Sequence, residues 1–243
     1  DKLLQYFEND LKIKVQKSEI LKAPKHTKFV LTSIYGDKLV INRFENGTIV
    51  LQGKPAYIYS EAISFLSYCK DITINDIVEN ISNFNKVIVK TDDVNIELQR
   101  LLINSYDGID PVILKLLSPA IALKKISIVL EDYSCFVFPS LRALEGYIKW
   151  LLKKKNIEVK DNFGGIFKGY NLTPNIKNKI NNIDYELEIE RIFRYFKDNR
   201  HIHFHTQQIL IGTKLITSRY EADNIIAEVI ELIDSSYKKL YKI

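Results

Sequence analysis

The period of the hydrophobic pattern changes near residue 90, and this restricts the possible folds more than any other feature of the chain. Between Lys28 and Gln52 the apolar residues Phe29, Leu31, Leu39, Ile41, Ile49 and Leu51 fall in short runs rich in β-branched side chains. Tyr35-Gly36-Asp37 and Glu45-Asn46-Gly47 separate these runs. Asn-Gly between two alternating runs is a strong hairpin signal, because both residues tolerate positive φ. Strands are therefore expected at Lys28–Tyr35, Lys38–Arg43 and Thr48–Gln52, as a three-stranded antiparallel meander. Ahead of them Leu3, Leu4, Phe7, Leu11 and Val15 recur at helical spacing and predict a helix over Asp1–Lys22, with Pro24 as punctuation. After Pro55, Ala62, Ile63, Phe65 and Leu66 mark a helix, and Ile72–Ile81 holds a shorter one. Val87-Ile88-Val89 fits either a small strand or a buried linker.

From about Thr91 the strand signals stop. Asp92 or Asp93 can cap a helix through Ile96, Leu98, Leu101, Leu102 and Tyr106. Gly108 and Pro111 separate it from a second helix through Leu114, Leu117, Ile121, Leu123 and Ile126. A third is expected over Pro139–Lys155, with Pro near N1 and Lys153-Lys154-Lys155 complementing its C-terminal dipole. Phe163-Gly164-Gly165 to Asn182 reads as a long polar loop, and loops of that length tend to be functional or mobile. Further helices are expected from Ile183 to Asn199 or beyond and over Ser218–Leu240. The expected fold class is α+β, a small antiparallel-sheet module over residues 1–90 followed by an all-α bundle over residues 91–243.

Composition removes several function classes. No apolar run reaches the ~20 residues needed to cross a bilayer, and the first residues lack a basic, apolar, small-residue leader pattern. Cys69 and Cys135 belong to no CxxC or Cys/His cluster and read as free buried thiols of a cytoplasmic protein. A net charge of +5 favours an acidic partner without naming it. Met is absent, the initiator included, which reads as a trimmed chain.

Three of the four histidines lie in Arg200-His201-Ile202-His203-Phe204-His205. As a strand, this segment would present three imidazoles on one face, as a zinc triad does, although no Cys or carboxylate supplies a fourth ligand. As a helix end, the histidines would sit favourably in the C-terminal dipole. An acid–base site with arginine is the third possibility. Ile189, Phe193 and Phe196 form an apolar stripe whose next position is Arg200, with His203 a turn later. On the third helix, Glu145 occupies the vacant place in the series Leu141, Ile148, Leu152. A carboxylate and a guanidinium, each set into a core-facing stripe, are expected to meet, as an inert buried ion pair or as a site with shifted pKa values. Arg is suited to a phosphate and His to proton movement near neutrality. Neither a Walker-type loop nor the clustered carboxylates of a two-metal site is present, so no cofactor or metal is expected. The residues fit metal-independent phosphodiester cleavage, which requires RNA as the bearer of a 2′-OH nucleophile.

Arg200-x4-His205 resembles the R-x4-6-H motif of HEPN-domain ribonucleases, which are helical bundles that usually act as dimers. Arg194 and His201 also satisfy this spacing, but Arg194 lies off the apolar stripe. Phe138-Pro139-Ser140-Leu141-Arg142-Ala143-Leu144-Glu145-Gly146 ahead of that motif resembles the C-terminal domain of the RnlA/LsoA ribonuclease toxins. The preceding meander is similar to their TATA-binding-protein-like repeats. The resemblance covers most of the chain from about Lys28. It implies an endoribonuclease toxin of a bacterial toxin–antitoxin or phage-defence system, a protein antitoxin as partner, and Glu145, Arg200 and His205 as catalytic residues. On an ideal helix, positions 200 and 205 diverge by about 140°. Either the helix breaks near Asn199–His201, or a second copy completes the site; His203 is the alternative catalytic histidine.

A competing class is a non-catalytic RNA- or protein-binding module. Its support is a basic, aromatic segment holding Lys160, Phe163, Phe167, Lys168, Tyr170, Lys177 and Lys179, although the two Phe could instead dock that segment onto the bundle. Lys168, Lys177 and Lys179 are the expected substrate-binding residues. Arg43, Lys54 and Lys38 flank a sheet that could carry nucleic acid or antitoxin.

Overall fold

The computed structural model describes residues 2–21, 23–34, 36–54, 56–159, 162–204 and 215–242, with backbone alone for 201–204. The chain divides into two compact units, Asp1–Val89 and Lys90–Ile243.

The first unit opens with a short helix, α1 (Lys2–Gln5), and a π-helical turn at Tyr6–Asp10. The long helix expected over Asp1–Lys22 therefore does not form. Lys12 takes positive φ (54°) and Lys14–Ile20 becomes β1. β1 pairs along its whole length with β2 (His26–Thr32), from Lys14↔Thr32 to Ile20↔His26. It is an edge strand with mostly exposed side chains, so it carries little alternation to betray it. β3 (Lys38–Phe44) and β4 (Ile49–Gly53) complete a four-stranded antiparallel sheet in the order β1-β2-β3-β4. The register aligns Phe29, Ile41 and Leu51 across β2, β3 and β4, and Leu31 with Leu39, giving one buried face.

In the β3–β4 turn, Gly47 alone of the Asn-Gly pair takes positive φ (86°). Asn46 instead accepts the Thr48 N–H through Oδ1 (3.0 Å). Asp37, in the β2–β3 connection, is bonded to the Ser33 hydroxyl and accepts the Ile58 N–H at 2.9 Å. It thereby caps α2 (Tyr57–Tyr68), whose own N-cap Ala56 has no side-chain acceptor. α2 packs on β3 and on α3 (Ile74–Asn85), which opens with a Thr73/Asp76 capping box. Val87-Ile88-Val89 is a linker: Val89 is buried with its backbone held by Ser82 Oγ, while Ile88 is exposed.

The second unit is built on α6 (Ser134–Lys154), which packs against α5 (Pro111–Lys124), α8 (Ile183–Phe204) and α9 (Arg219–Tyr241). α4 (Thr91–Leu101) lies on α5 and α9. Asp92 and Asp93 occupy the first turn of α4 rather than its cap, which is Lys90. α5 starts as expected, with Asp110 Oδ1 accepting the Val112 N–H at 2.9 Å. α6 begins five residues before Pro139, so that proline is interior and not at N1. The reason lies just upstream, where Asp132 Oδ1 accepts the Ser134 N–H and hydroxyl (2.9 and 2.6 Å) and starts the helix early.

Along α6, Ala143, Leu144, Tyr147, Ile148, Leu151 and Leu152 are fully buried, each large aliphatic contributing ~1.5–3 kcal/mol by leaving water. Cross-ties fix its neighbours. Arg219 on α9 donates to the carbonyls of Leu123, Lys124 and Ile126 at the end of α5 (3.2, 2.6 and 2.7 Å). Glu188 on α8 accepts from Lys239 on α9 (2.7 Å) and from Arg191 (3.0 and 2.7 Å). Asp234 on α9 receives the N–H groups of Asn104 and Ser105, the Ser105 hydroxyl and the Asn104 amide.

The long polar loop expected after Phe163 is structured. It holds a two-stranded hairpin, β5 (Phe167–Lys168) and β6 (Asn171–Leu172), and then α7 (Pro174–Ile180). Cys69 and Cys135 form no disulfide, and each is half-buried rather than fully buried. Among the described residues no helix is long and apolar enough to cross a membrane.

Candidate active site

Helix periodicity turns Glu145 inward with Leu141, Ile148 and Leu152, and only 6% of its side chain is exposed. A carboxylate so placed must be compensated. Three cations do this. Arg200 Nη1 on α8 and Arg142 Nη1 both donate to Oε2, at 3.2 and 3.1 Å, and Lys149 Nζ lies 2.8 Å from Oε1. Each cation also rests near an aromatic ring: Arg200 on Phe196 (5.4 Å), Arg142 on Phe138 (5.1 Å) and Lys149 on Phe163 (5.8 Å).

Burial alone would raise the Glu145 pKa, but the positive charges of Arg142, Arg200 and Lys149 outweigh it and hold the carboxyl below its ordinary value. The carboxylate is thus ionised at neutral pH and acts as an acceptor that orients guanidinium groups, not as a proton donor. With three cations on one anion, the cluster is itself net positive. Arg200 is 35% exposed, against 16% for Arg142, and so offers donors to solvent beyond the one given to Glu145.

The meeting of Glu145 and Arg200 expected from the two stripes is present. Arg142 and Lys149 were not singled out in the sequence, although they stand three residues before and four after Glu145, the spacings at which charges on one helix pair. Glu190 on α8 is a further residue that the sequence pattern does not single out. It is buried, accepting the Leu172 N–H (2.8 Å) and pairing with Lys177 (2.8 Å). Lys177 is therefore engaged within the fold, while Lys168 and Lys179 are exposed. Phe163 and Phe167 dock onto α8, with Phe167 stacked on Phe193 at 3.6 Å and Phe163 edge-on to Phe193 and Phe196. α8 runs unbroken through Phe204, so the break expected near Asn199–His201 does not occur. His205 lies outside the described residues, as do the side chains of His201 and His203. Among the described residues no group of His, Cys, Asp and Glu is arranged to hold a metal ion.

The family described as RNase LS, bacterial toxin, matches residues 1–72. The family described as RNase LS, bacterial toxin DBD domain, matches residues 90–207, a segment that contains Glu145, Arg200 and His205. The mRNA endoribonuclease LsoA of Escherichia coli O157:H7 is 32% identical over 217 residues, covering 87% of this chain. The chain spans 62% of the length of that relative. The crystal structure of Escherichia coli toxin LsoA, in complex with the T4 phage antitoxin Dmd, superposes with a TM-score of 0.64 at 26% identity, covering 98% of this chain and 93% of that one. With both toxin family descriptions matching along the chain, and an arginine-bound carboxylate buried in the segment covered by the second, the chain belongs to the RnlA/LsoA-type RNase toxins.

Proposed function

We propose that this chain is an endoribonuclease toxin that cuts RNA without a metal, by attack of the ribose 2′-OH on the adjacent phosphate. The observation that carries this is the buried, ionised Glu145 holding Arg200, with Arg200 still partly open to solvent. Arg200 binds the non-bridging oxygens of the scissile phosphate and neutralises the charge that grows there in the transition state. Glu145 fixes the guanidinium plane and cannot serve as the acid, so proton transfer falls to a histidine. His205 removes the 2′-OH proton as the oxygen bonds to phosphorus, and the departing 5′-oxygen is protonated in turn. The products are a 2′,3′-cyclic phosphate and a 5′-hydroxyl. His203 is the alternative base. The helical unit is of HEPN type, the sheet unit is TATA-binding-protein-like, and the active form is a homodimer in which a second copy completes the site. The name of the relative, an mRNA endoribonuclease, and the antitoxin complex of the superposed toxin support a cytoplasmic role in toxin–antitoxin or phage-defence biology, with a protein antitoxin as partner.

The test is cleavage of a mixed RNA in EDTA by the wild type, Arg200→Ala and His205→Ala, with product ends identified by mass spectrometry. Cleavage with cyclic phosphate ends is expected for the wild type, reduced ~100-fold or more in each variant. Activity surviving both substitutions sinks the site assignment. Dependence on added metal sinks the mechanism. RNA binding without cleavage under any condition favours the non-catalytic binding module.

A further inference from the structure

The β5–β6 hairpin has a sequence role that the catalytic cluster does not absorb. Its tip is Gly169-Tyr170, with Gly169 at φ 67°. Phe167 anchors it by stacking on Phe193, and this sets the tip over the next turns of α8. There the Tyr170 hydroxyl donates to Asp198 Oδ1 (2.7 Å), and Lys197 Nζ donates to the Gly169 carbonyl (3.2 Å). Two cations lie on the Tyr170 ring, Lys197 Nζ at 5.0 Å and Arg194 Cζ at 5.4 Å from its centroid. Tyr170 as a residue stays 38% exposed, and Lys168 is exposed on the same hairpin.

The order of the cations along α8 has a direction. Arg194, Lys197 and Arg200 follow one another at intervals of three, so they form one continuous ridge, advancing ~4.5 Å along the axis per step. The ridge ends at the guanidinium held by Glu145. The Asp198 carboxylate there is engaged by the Tyr170 hydroxyl. Cations pinned on an aromatic ring at a surface suit a polyanion that presents regularly spaced charges and stackable bases.

We infer that Lys168, Tyr170, Arg194 and Lys197 form the track on which the RNA strand lies as it enters the site, Arg194 and Lys197 binding phosphates next to the one held by Arg200. This rests on the ribonuclease proposal and extends it to residues outside the catalytic cluster. Tyr170 acts by holding the two cations at the surface and offering its free edge to a base.

The test is fluorescence anisotropy with a labelled 2′-O-methyl RNA strand, which lacks the nucleophile and is not cut. It is run across a salt series for the wild type, Arg194→Gln/Lys197→Gln and a control, Lys153→Gln/Lys238→Gln, which removes the same charge from α6 and α9. The track variant is expected to raise Kd about tenfold and to flatten the log Kd against log salt slope by ~1.4, two single-strand phosphate contacts at ~0.7 each. The control keeps the wild-type slope. Tyr170→Ala weakens binding and Tyr170→Phe preserves it. Unchanged far-UV circular dichroism shows that each variant is folded. A track variant indistinguishable from the control overturns the inference, as does a wild type that binds no RNA. Equal weakening towards polyglutamate overturns it too, since the surface would then serve acidic proteins. Because binding is read on an uncut strand, failure here is separate from failure of the cleavage mechanism, which Arg200→Ala reports.

Discussion

Glu145 occupies a place an aliphatic side chain would fill, and three cations converge on it. Glu145→Gln leaves those cations around a neutral amide, at a cost of about 3 kcal/mol at pH 7. The sign with pH follows from the lowered carboxyl pKa. The stabilisation is complete above the unfolded-state value and is lost as pH falls through the lower folded-state value. Urea midpoints of wild type and variant should therefore differ at pH 7 and draw together as pH falls below about 4.3, the ordinary Glu value. Equal midpoints at neutral pH would show that the cluster does not stabilise the fold. Glu145 and Arg200 stood out in the sequence because each interrupts an apolar stripe. Arg142 and Lys149 did not, because charged residues one turn away from such a stripe look like any solvated helix face.

Helices whose apolar period is strong were legible as elements, and the exceptions have physical causes. The spacing within β1 reads as helix because its ladder with β2, not its own side chains, selects the strand. The segment after Phe163 reads as loop because its order comes from rings stacked on α8 and from Glu190, both remote in sequence. The connection between α4 and α5 shows the same dependence. A Cβ on Gly108 would overlap the hydroxyl and Cζ of Tyr237 on α9, and Tyr237 is buried and packed against the rings of both Trp150 and Tyr241. Gly108→Ala is expected to cost about 2–3 kcal/mol in urea unfolding, and Tyr237→Phe in that background to recover part of it. A wild-type midpoint for Gly108→Ala would mean that α9 can shift away from the connection at little cost.

At the scale of the whole molecule, the continuous helix supports the proposed homodimer. With α8 unbroken to Phe204, a helix break near Asn199–His201 falls away as the way to bring Arg200 and a histidine together, and completion by a second copy is the remaining proposal. Sedimentation is expected to give twice the 28.3 kDa chain mass, and a strictly monomeric active protein would exclude the shared site. The sequence by itself determined the α+β class, the change of regime near residue 90 and the inward placement of Glu145 and Arg200. All of these rest on local periodicity, which a linear pattern records. Only the tertiary structure decided that β1 is a strand, that the aromatic segment docks on α8, and that Arg142, Lys149 and Arg200 share one carboxylate. Those outcomes depend on pairings between distant residues, 55 positions apart for Glu145 and Arg200, whose energies appear only once burial has removed the competing water.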